Sequence, residues 1–274
     1  MAAGEGKTVS GEHADAWAIG EAYEPYVGRW SRLVAREFLG WLAADRGARW
    51  LDIGCGTGAL TDVLLDAAAP ALICGVDPAH AFVHFARARV RDRRAAFLVA
   101  DARSLPHRDR CVDAVVSALA LNFIPRCEIA LAEMVRVARD GGIVALYVWD
   151  YAGQMQLMRH FWDAVIMLDR DAAELDEARR FPICDPGRLE ALFGSAGLRD
   201  VESRPIDVPT RFRDFDDYWN PFLGGQGPAP GYAMALSAER RTALRERIRE
   251  SLPIARDGSI SLIARAWAVR GRRV

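Results

Sequence analysis

Residues 50–58 read W-L-D-I-G-C-G-T-G, and this stretch decides how the chain folds. Trp50, Leu51 and Ile53 predict a short buried strand that Asp52 closes. Gly54, Gly56 and Gly58 make a turn too tight for side chains, and a helix from Thr57 to Ala69 leaves it. Glycine tolerates positive φ and lets a ligand approach bare backbone, so strand, turn and helix form a cradle for a nucleoside-bearing molecule.

Outward from the cradle the chain alternates. Strand 49–53 and helix 57–69 are followed by strand 71–76, helix 79–90, strand 95–100 and a polar loop over 104–110. Strand 112–118 and helix 128–137 come next, and Gly141-Gly142 reads as a turn that launches strand 143–149. Continuous apolar strands separated by helices predict a parallel sheet covered on both faces, and right-handed crossovers make it doubly wound. The expected class is α/β and Rossmann-like.

Beyond Asp150 the rhythm breaks. Residues 151–180 read as helical, Asp185-Pro186 as an N-cap followed by an N1 proline, and Gly197 as a stop. A strand over 198–209, an aromatic segment 212–222, a Gly/Pro loop over 224–231, a helix over 238–251 and a last strand over 259–269 complete the pattern. Upstream, Leu33, Val34, Phe38, Leu39, Trp41 and Leu42 share one helical face, with Gly47 as the expected stop. The predicted layout is a disordered tail over 1–12 and one domain over 13–274. Its core is about 48–149, with a helical cap over 13–47 and cap insertions over about 151–185 and 212–232.

Composition narrows the class. The chain has 274 residues, 51% of them hydrophobic, and a formal charge of −1. That is enough apolar material for a sizeable core, and the charge balance disfavours a nucleic-acid footprint. Lys7 is the only lysine. Five cysteines stand singly, without a C-x-x-C pair, so neither a disulfide framework nor a metal site is expected. With no apolar h-region and no run near about 18 apolar residues, the chain reads as cytoplasmic and without a membrane span. Its state is expected to be monomer or homodimer.

Spacing alone leaves the ligand open between a pyrophosphate and something else, because Ala59 stands where a dinucleotide fingerprint tolerates alanine. Asp77, ending G-V-D-P, is placed to accept both hydroxyls of a ribose, and it equally suits the N-cap of helix 79–90. Asp101-Ala102 ends the next strand, where a carboxylate accepts from an exocyclic adenine amine and a backbone N–H meets the ring.

Taken in order, D-I-G-C-G-T-G, G-V-D-P, A-D-A-x-x-L-P, C-V-D-A-V-V-S and E-M-x-R-V-x-R-x-G-G resemble the class I S-adenosylmethionine-dependent methyltransferases. The similarity is greatest to the small-molecule branch of the ubiquinone/menaquinone-biosynthesis type, over about residues 48–149. One departure is Asp140, where a proline usually precedes the Gly-Gly pair. The resemblance implies a seven-stranded sheet with the last strand antiparallel. It also implies S-adenosylmethionine as cofactor and S-adenosylhomocysteine as product. The cofactor-binding set it implies includes Asp52, with Gly54, Cys55, Gly56 and Gly58 on the methionine and ribose portion. Asp77 takes the ribose diol, Pro78 packs on adenine, and Asp101 and Ala102 read the adenine edge. Ser117 to Leu119 form the floor beneath the sulfonium.

For the methionine carboxylate, Arg29 is the nearest cation by topology, with Tyr23 and Tyr26 as walls. Methyl transfer is an in-line displacement, so the protein mainly orients, dries the site and supplies a base where a hydroxyl must lose its proton. The catalytic residue is not identified. Asp150, just past a strand end, is the one weak candidate, and an ordinary turn carboxylate is the reading favoured over it. None of His13, His84, His107 and His160 stands out. The acceptor is expected to be small and aromatic or apolar, met by Trp149, Tyr151, Tyr218 and Trp219, with Phe181 and Phe222 nearby. Loop 224–231 is a candidate gate.

Two competing readings use the same fold. An NAD-dependent oxidoreductase is disfavoured by Asp101-Ala102 and by the lack of a Tyr-x-x-x-Lys pair. A non-catalytic S-adenosylmethionine-binding regulatory protein would keep Asp77 and Asp101 without turnover. Amino methylation of nucleic acid is disfavoured because Ser117-Ala118-Leu119 replaces an N-P-P-Y-type tetrad.

Overall fold

The computed structural model describes residues 28–224 and 227–274. The expected tail, Tyr23, Tyr26, His13 and the start of the N-terminal cap lie outside the described residues.

Helix α1 (Arg29–Leu42) leads into β1 (Arg49–Ile53), α2 (Ala59–Ala67), β2 (Leu72–Asp77), α3 (His80–Arg89) and β3 (Ala95–Val99). Then come β4 (Val112–Ala118), α4 (Cys127–Val137) and β5 (Ala138–Trp149). The seven-stranded sheet has the order β3-β2-β1-β4-β5-β7-β6, with β6 (Arg199–Phe212) and β7 (Ile260–Arg272). β1 to β5 pair in parallel, while β7 runs antiparallel to both β5 and β6. The last strand is therefore antiparallel, as expected.

β1 is central and covered on both faces. Trp50, Leu51, Asp52 and Ile53 are all buried, which is why that strand carries no polar alternation. Phe38 of α1 meets Tyr147 of β5 edge-on at 4.9 Å between centroids, and both are buried. Full burial of one such ring contributes about 2–3 kcal/mol. At the far edge, β6 holds Pro205 and Pro209, which an edge strand tolerates because prolines have no N–H to give the ladder.

Three boundaries differ from expectation. α1 ends at Leu42 with Ala43 left-handed at φ 46°, while Gly47 turns the chain into β1 and donates its N–H to Ala69 O at 3.0 Å. Gly141-Gly142 does not precede β5 but bulges within it. The register jumps between Val112 and Ala114, and a Cβ at Gly142 would meet Arg139 O at 2.7 Å. From Gly227 the Gly/Pro run is a helix start rather than a loop: Pro228 opens α9 (Pro228–Ala235) from Gly227 at φ 86°.

Between β5 and β6 lie α5 (Gln156–Leu168), a 3₁₀ turn (Arg170–Leu175), α6 (Glu177–Arg180) and α7 (Pro186–Ser195). Asp185 caps α7 as expected, accepting the Arg188 N–H at 3.0 Å. Between β6 and β7 lie α8 (Phe215–Trp219), a 3₁₀ turn (Asn220–Gly224), α9 and α10 (Ala238–Ser251). The segment after β5 is sewn to β7: Asp150 N–H reaches Arg265 O at 2.9 Å, and Arg265 N–H reaches Gln154 O at 3.1 Å.

Candidate active site

The cavity of about 450 Å³ opens where the carboxyl ends of β1 to β5 meet the segments that follow them. That is where open α/β sheets place ligands. One half is walled by the glycine turn and the acids Asp52, Asp77 and Asp101, and the other by Phe123, Tyr147, Trp149, Tyr151 and Met158.

Gly54 has φ 68°, and a Cβ there would lie 2.4 Å from Ala120 Cβ. Its N–H and that of Cys55 both reach Val76 O, at 2.8 and 3.0 Å, which locks the turn to the end of β2. Gly58, also left-handed, packs towards Val90, Ala86 and Phe97 and stands outside the cavity wall. Its requirement for glycine is therefore helix packing rather than ligand contact.

Asp52 is 0% exposed. Its Oδ2 accepts from Thr61 Oγ1 at 2.8 Å, while Oδ1 has no hydrogen-bond partner among the described residues. Burial pushes the carboxyl up to about 7. A buried acceptor left open beside a cavity fits a ligand that brings its own cationic donor.

Asp77 spends both oxygens on backbone: Oδ2 accepts from Gly56 N at 3.0 Å and Oδ1 from Ala79 N at 2.9 Å. The N-cap reading does not hold: α3 starts from an N-cap at Ala79 that has no side-chain bond, and Asp77 meets the N–H of Ala79 itself, ahead of the helix. Burial raises its carboxyl, and these two N–H groups oppose that rise. Asp101 is chelated by Arg103, whose side chain donates at 2.6 Å and whose N–H donates at 2.8 Å, and this pairing lowers its carboxyl. Cys55, Gly56, Pro78 and Ala102 also line the cavity. Leu119 lines it from a left-handed position, φ 56°, fixed by its N–H to Tyr147 O at 2.8 Å. A branched residue held there is strained, and such strain gathers at ligand sites.

Several predicted residues fall elsewhere. Ser117 turns into the sheet and donates to Ile53 O at 2.9 Å, so Ala118 and Leu119 alone supply that floor. Arg29 pairs with Asp217 at 3.2 Å and lies 4.3 Å over the Trp30 ring, outside the cavity wall. Tyr218 is 0% exposed and donates to Leu157 O at 2.8 Å. It shares an aromatic cluster with Trp219 and Phe222, so both Tyr218 and Trp219 hold the cap together rather than face an acceptor. Phe181 packs behind Phe123 at 4.9 Å. Asp150 accepts the Gln154 N–H at 2.8 Å and serves the turn. Trp149 and Tyr151 do line the cavity.

The structure adds a residue that sequence reading passed over. Glu177 opens α6, is 1% exposed and lines the cavity's apolar half, where Trp162 Nε1 donates to its Oε2. In the sequence it is one acid in D-E-A-R-R, which reads as a solvated helix start. Nothing local signals its burial.

A doubly wound sheet with three acids at successive strand ends around one cavity defines an α/β protein that binds a nucleoside cofactor. A family profile described as "Methyltransferase domain" matches residues 51–146. The chain is 35% identical over 185 residues to malonyl-[acyl-carrier protein] O-methyltransferase of Geobacter sulfurreducens, covering 66% of this chain and 67% of that protein. It is 38% identical over 175 residues to demethylmenaquinone methyltransferase of a Roseiflexus species, covering 58% of this chain and 71% of that protein. Phosphoethanolamine N-methyltransferase 2 of Haemonchus contortus, solved with S-adenosyl-L-methionine, shares the fold with a TM-score of 0.59 at 14% identity, over 92% of this chain and 57% of that one. The chain belongs to the class I S-adenosylmethionine-dependent methyltransferases.

Proposed function

We propose that this methyltransferase acts on a small organic acceptor, aromatic or apolar, taken into the cavity half formed by Phe123, Tyr147, Trp149, Tyr151 and Met158. The observation that carries this reading is that this apolar wall and the acids of the cofactor half line one cavity.

When bound, S-adenosylmethionine supplies a methyl group already activated by a sulfonium. Asp77 holds the ribose diol, with both its oxygens oriented by backbone N–H groups. Asp52 pairs through Oδ1 with the methionine ammonium, which answers its open valence. Pro78 packs on the adenine face, while Asp101 and Ala102 read its edge. Gly54, Cys55 and Gly56 bring bare backbone against the methionine tail, and Leu119 shapes the floor. The aromatic wall excludes water and presents a flat surface to the acceptor.

The same reading takes residues 13–274 as one domain in which the segments outside the sheet rhythm cap the cavity. No helix among the described residues is long and apolar enough to cross a membrane. The cysteines of the described residues are free, which supports a reducing cytoplasm. We favour a monomer or homodimer, and the near-balanced charge supports a small acceptor over nucleic acid.

Calorimetric titration of the folded protein with S-adenosylhomocysteine tests the cofactor half. Saturable binding is expected, and its absence at several hundred micromolar would overturn the reading. An acceptor panel scored by S-adenosylhomocysteine release then tests the apolar half, with turnover expected on flat apolar members and on no oligonucleotide.

A further inference from the structure

Glu177 is an expensive residue for a cap helix to bury. It is 1% exposed, lines the same cavity as Tyr151 and Met158, and among the described residues takes one side-chain donor, the indole of Trp162 on α5. Arg159, on α5, is committed to Asp176 at 2.9 Å and to Asp163 at 2.7 Å. Arg180, on Glu177's own helix, opposes the rise only weakly, and Asp176 adds to it. A carboxyl in such surroundings lowers stability, and buried acids of this kind gather at functional sites.

We propose that Glu177 faces the transferring methyl and accepts the proton of an aromatic hydroxyl as that oxygen is methylated. This inference rests on the methyl-transfer reading above and deepens it by naming the acceptor class. In the step, a lone pair on the acceptor oxygen forms the bond to the methyl carbon. The carbon–sulfur bond breaks with its electron pair on sulfur, and the hydroxyl proton passes to the Glu177 carboxylate. The neutral methoxy product then leaves with no charge to solvate in the apolar half.

The geometry favours this acid over the others in the cavity. Asp77 is satisfied by two backbone donors and Asp101 by Arg103. Asp52 lies beside the glycine turn, at the methionine end. Glu177 is the remaining acid of the cavity lining among the described residues, and it meets an aromatic side chain, Trp162. Trp162 holds one of its oxygens, which fixes the carboxylate plane. Burial lifts the group to about 8, closer to an aromatic hydroxyl than an ordinary glutamate is, which improves proton transfer between them.

Paired titrations with sinefungin and S-adenosylhomocysteine read the position of Glu177 without an acceptor. Sinefungin carries an amine where the methyl sulfonium would be, and both ligands present the same amino-acid end to Asp52. Wild-type protein is expected to favour sinefungin by about tenfold at alkaline pH, the size of a charge-assisted contact. That preference should shrink as pH falls through about 8, where the carboxyl takes up its proton. Glu177→Gln keeps an acceptor for Trp162 and should bring the ratio to about one while S-adenosylhomocysteine affinity and melting temperature hold or rise. A wild-type ratio near one at every pH overturns the proposal even if the variant does not fold, and so does a ratio unchanged in the variant. Failure of S-adenosylhomocysteine to bind wild type overturns the cofactor reading instead. With S-adenosylhomocysteine bound, 2-naphthol should bind wild type at least about fivefold tighter than 2-methoxynaphthalene. Equal or undetectable affinities overturn the hydroxyl assignment.

Discussion

Gly56 donates its N–H to Asp77 Oδ2 at 3.0 Å, so the apex of the glycine turn is tied to the end of the neighbouring strand. Cradle and acid are therefore one rigid unit, set before any ligand arrives. Pre-ordering of this kind lowers the entropy lost on binding.

Asp77→Ala releases both Gly56 and Ala79. Affinity for S-adenosylhomocysteine is expected to fall at least tenfold, about 1.4 kcal/mol or more, with a lower melting temperature. Calorimetry and thermal melting report the two losses separately. An affinity within twofold of wild type would remove Asp77 from the site.

Asp52 makes binding release protons. Burial raises its carboxyl to about 7, and a cationic ammonium beside Oδ1 favours the charged form. Around pH 6–7 ligand binding should therefore expel part of a proton, seen as a dependence of the binding enthalpy on buffer ionisation heat. Asp52→Asn should abolish that dependence. The unliganded protein responds in the opposite sense to the usual carboxylate. Because the folded value is raised, this group's contribution to stability is full below about pH 4 and declines as pH rises towards 7.

Gly54→Ala meets two obstacles at once, a φ of 68° and a contact of 2.4 Å with Ala120. A loss of about 2 kcal/mol or more in unfolding free energy is expected, together with weakened S-adenosylhomocysteine binding. Chemical denaturation checks the first. A variant as stable as wild type would mean that the turn relaxes freely.

Asp150→Ala separates a turn carboxylate from a catalytic one. The loss of its bond to the Gln154 N–H should cost about 1 kcal/mol of stability. Relative turnover on any acceptor found should be unchanged once folded protein is counted. A kcat loss of two or more powers of ten with normal stability would restore Asp150 as the base.

Phe38→Ala tests the core beneath the site. Phe38 is fully buried against Tyr147, which itself lines the cavity. The expected destabilisation is about 3–5 kcal/mol, measured by thermal or denaturant unfolding. A cost below about 1 kcal/mol would show that α1 repacks over the sheet.

Much of the sheet was legible because its signals are local. β4 falls on 112–118 and α10 on 238–251, as expected, and the structure adds Ser237 as the cap of α10. Asp77 could be placed at the cavity because an acid that ends a strand beside a glycine turn stands where open α/β sheets leave their crevice. The Gly/Pro run failed for a local reason too: Gly227 and Pro228 are as suited to starting a helix as to a loop, and buried Ala229 and Ala233 decide it. Aromatic side chains were the least legible. Trp149 and Tyr151 line the cavity while Tyr218 and Trp219 sit in the cap's own core, although all four are aromatic residues at or beyond the end of β5.

The sequence by itself determined the alternating strands, the glycine turn and the acids at the strand ends, because strand period, positive φ and short-range spacing are written residue by residue. Tertiary structure alone decided which side chains face the cavity. It turned Ser117 inward, spent Arg29 on Asp217 and left Asp52 Oδ1 open. It also carried Glu177, an unremarkable acid in its own segment, into an apolar wall beside Trp162. Burial and partnership are properties of packing between distant segments, and for a charged group they set its chemistry.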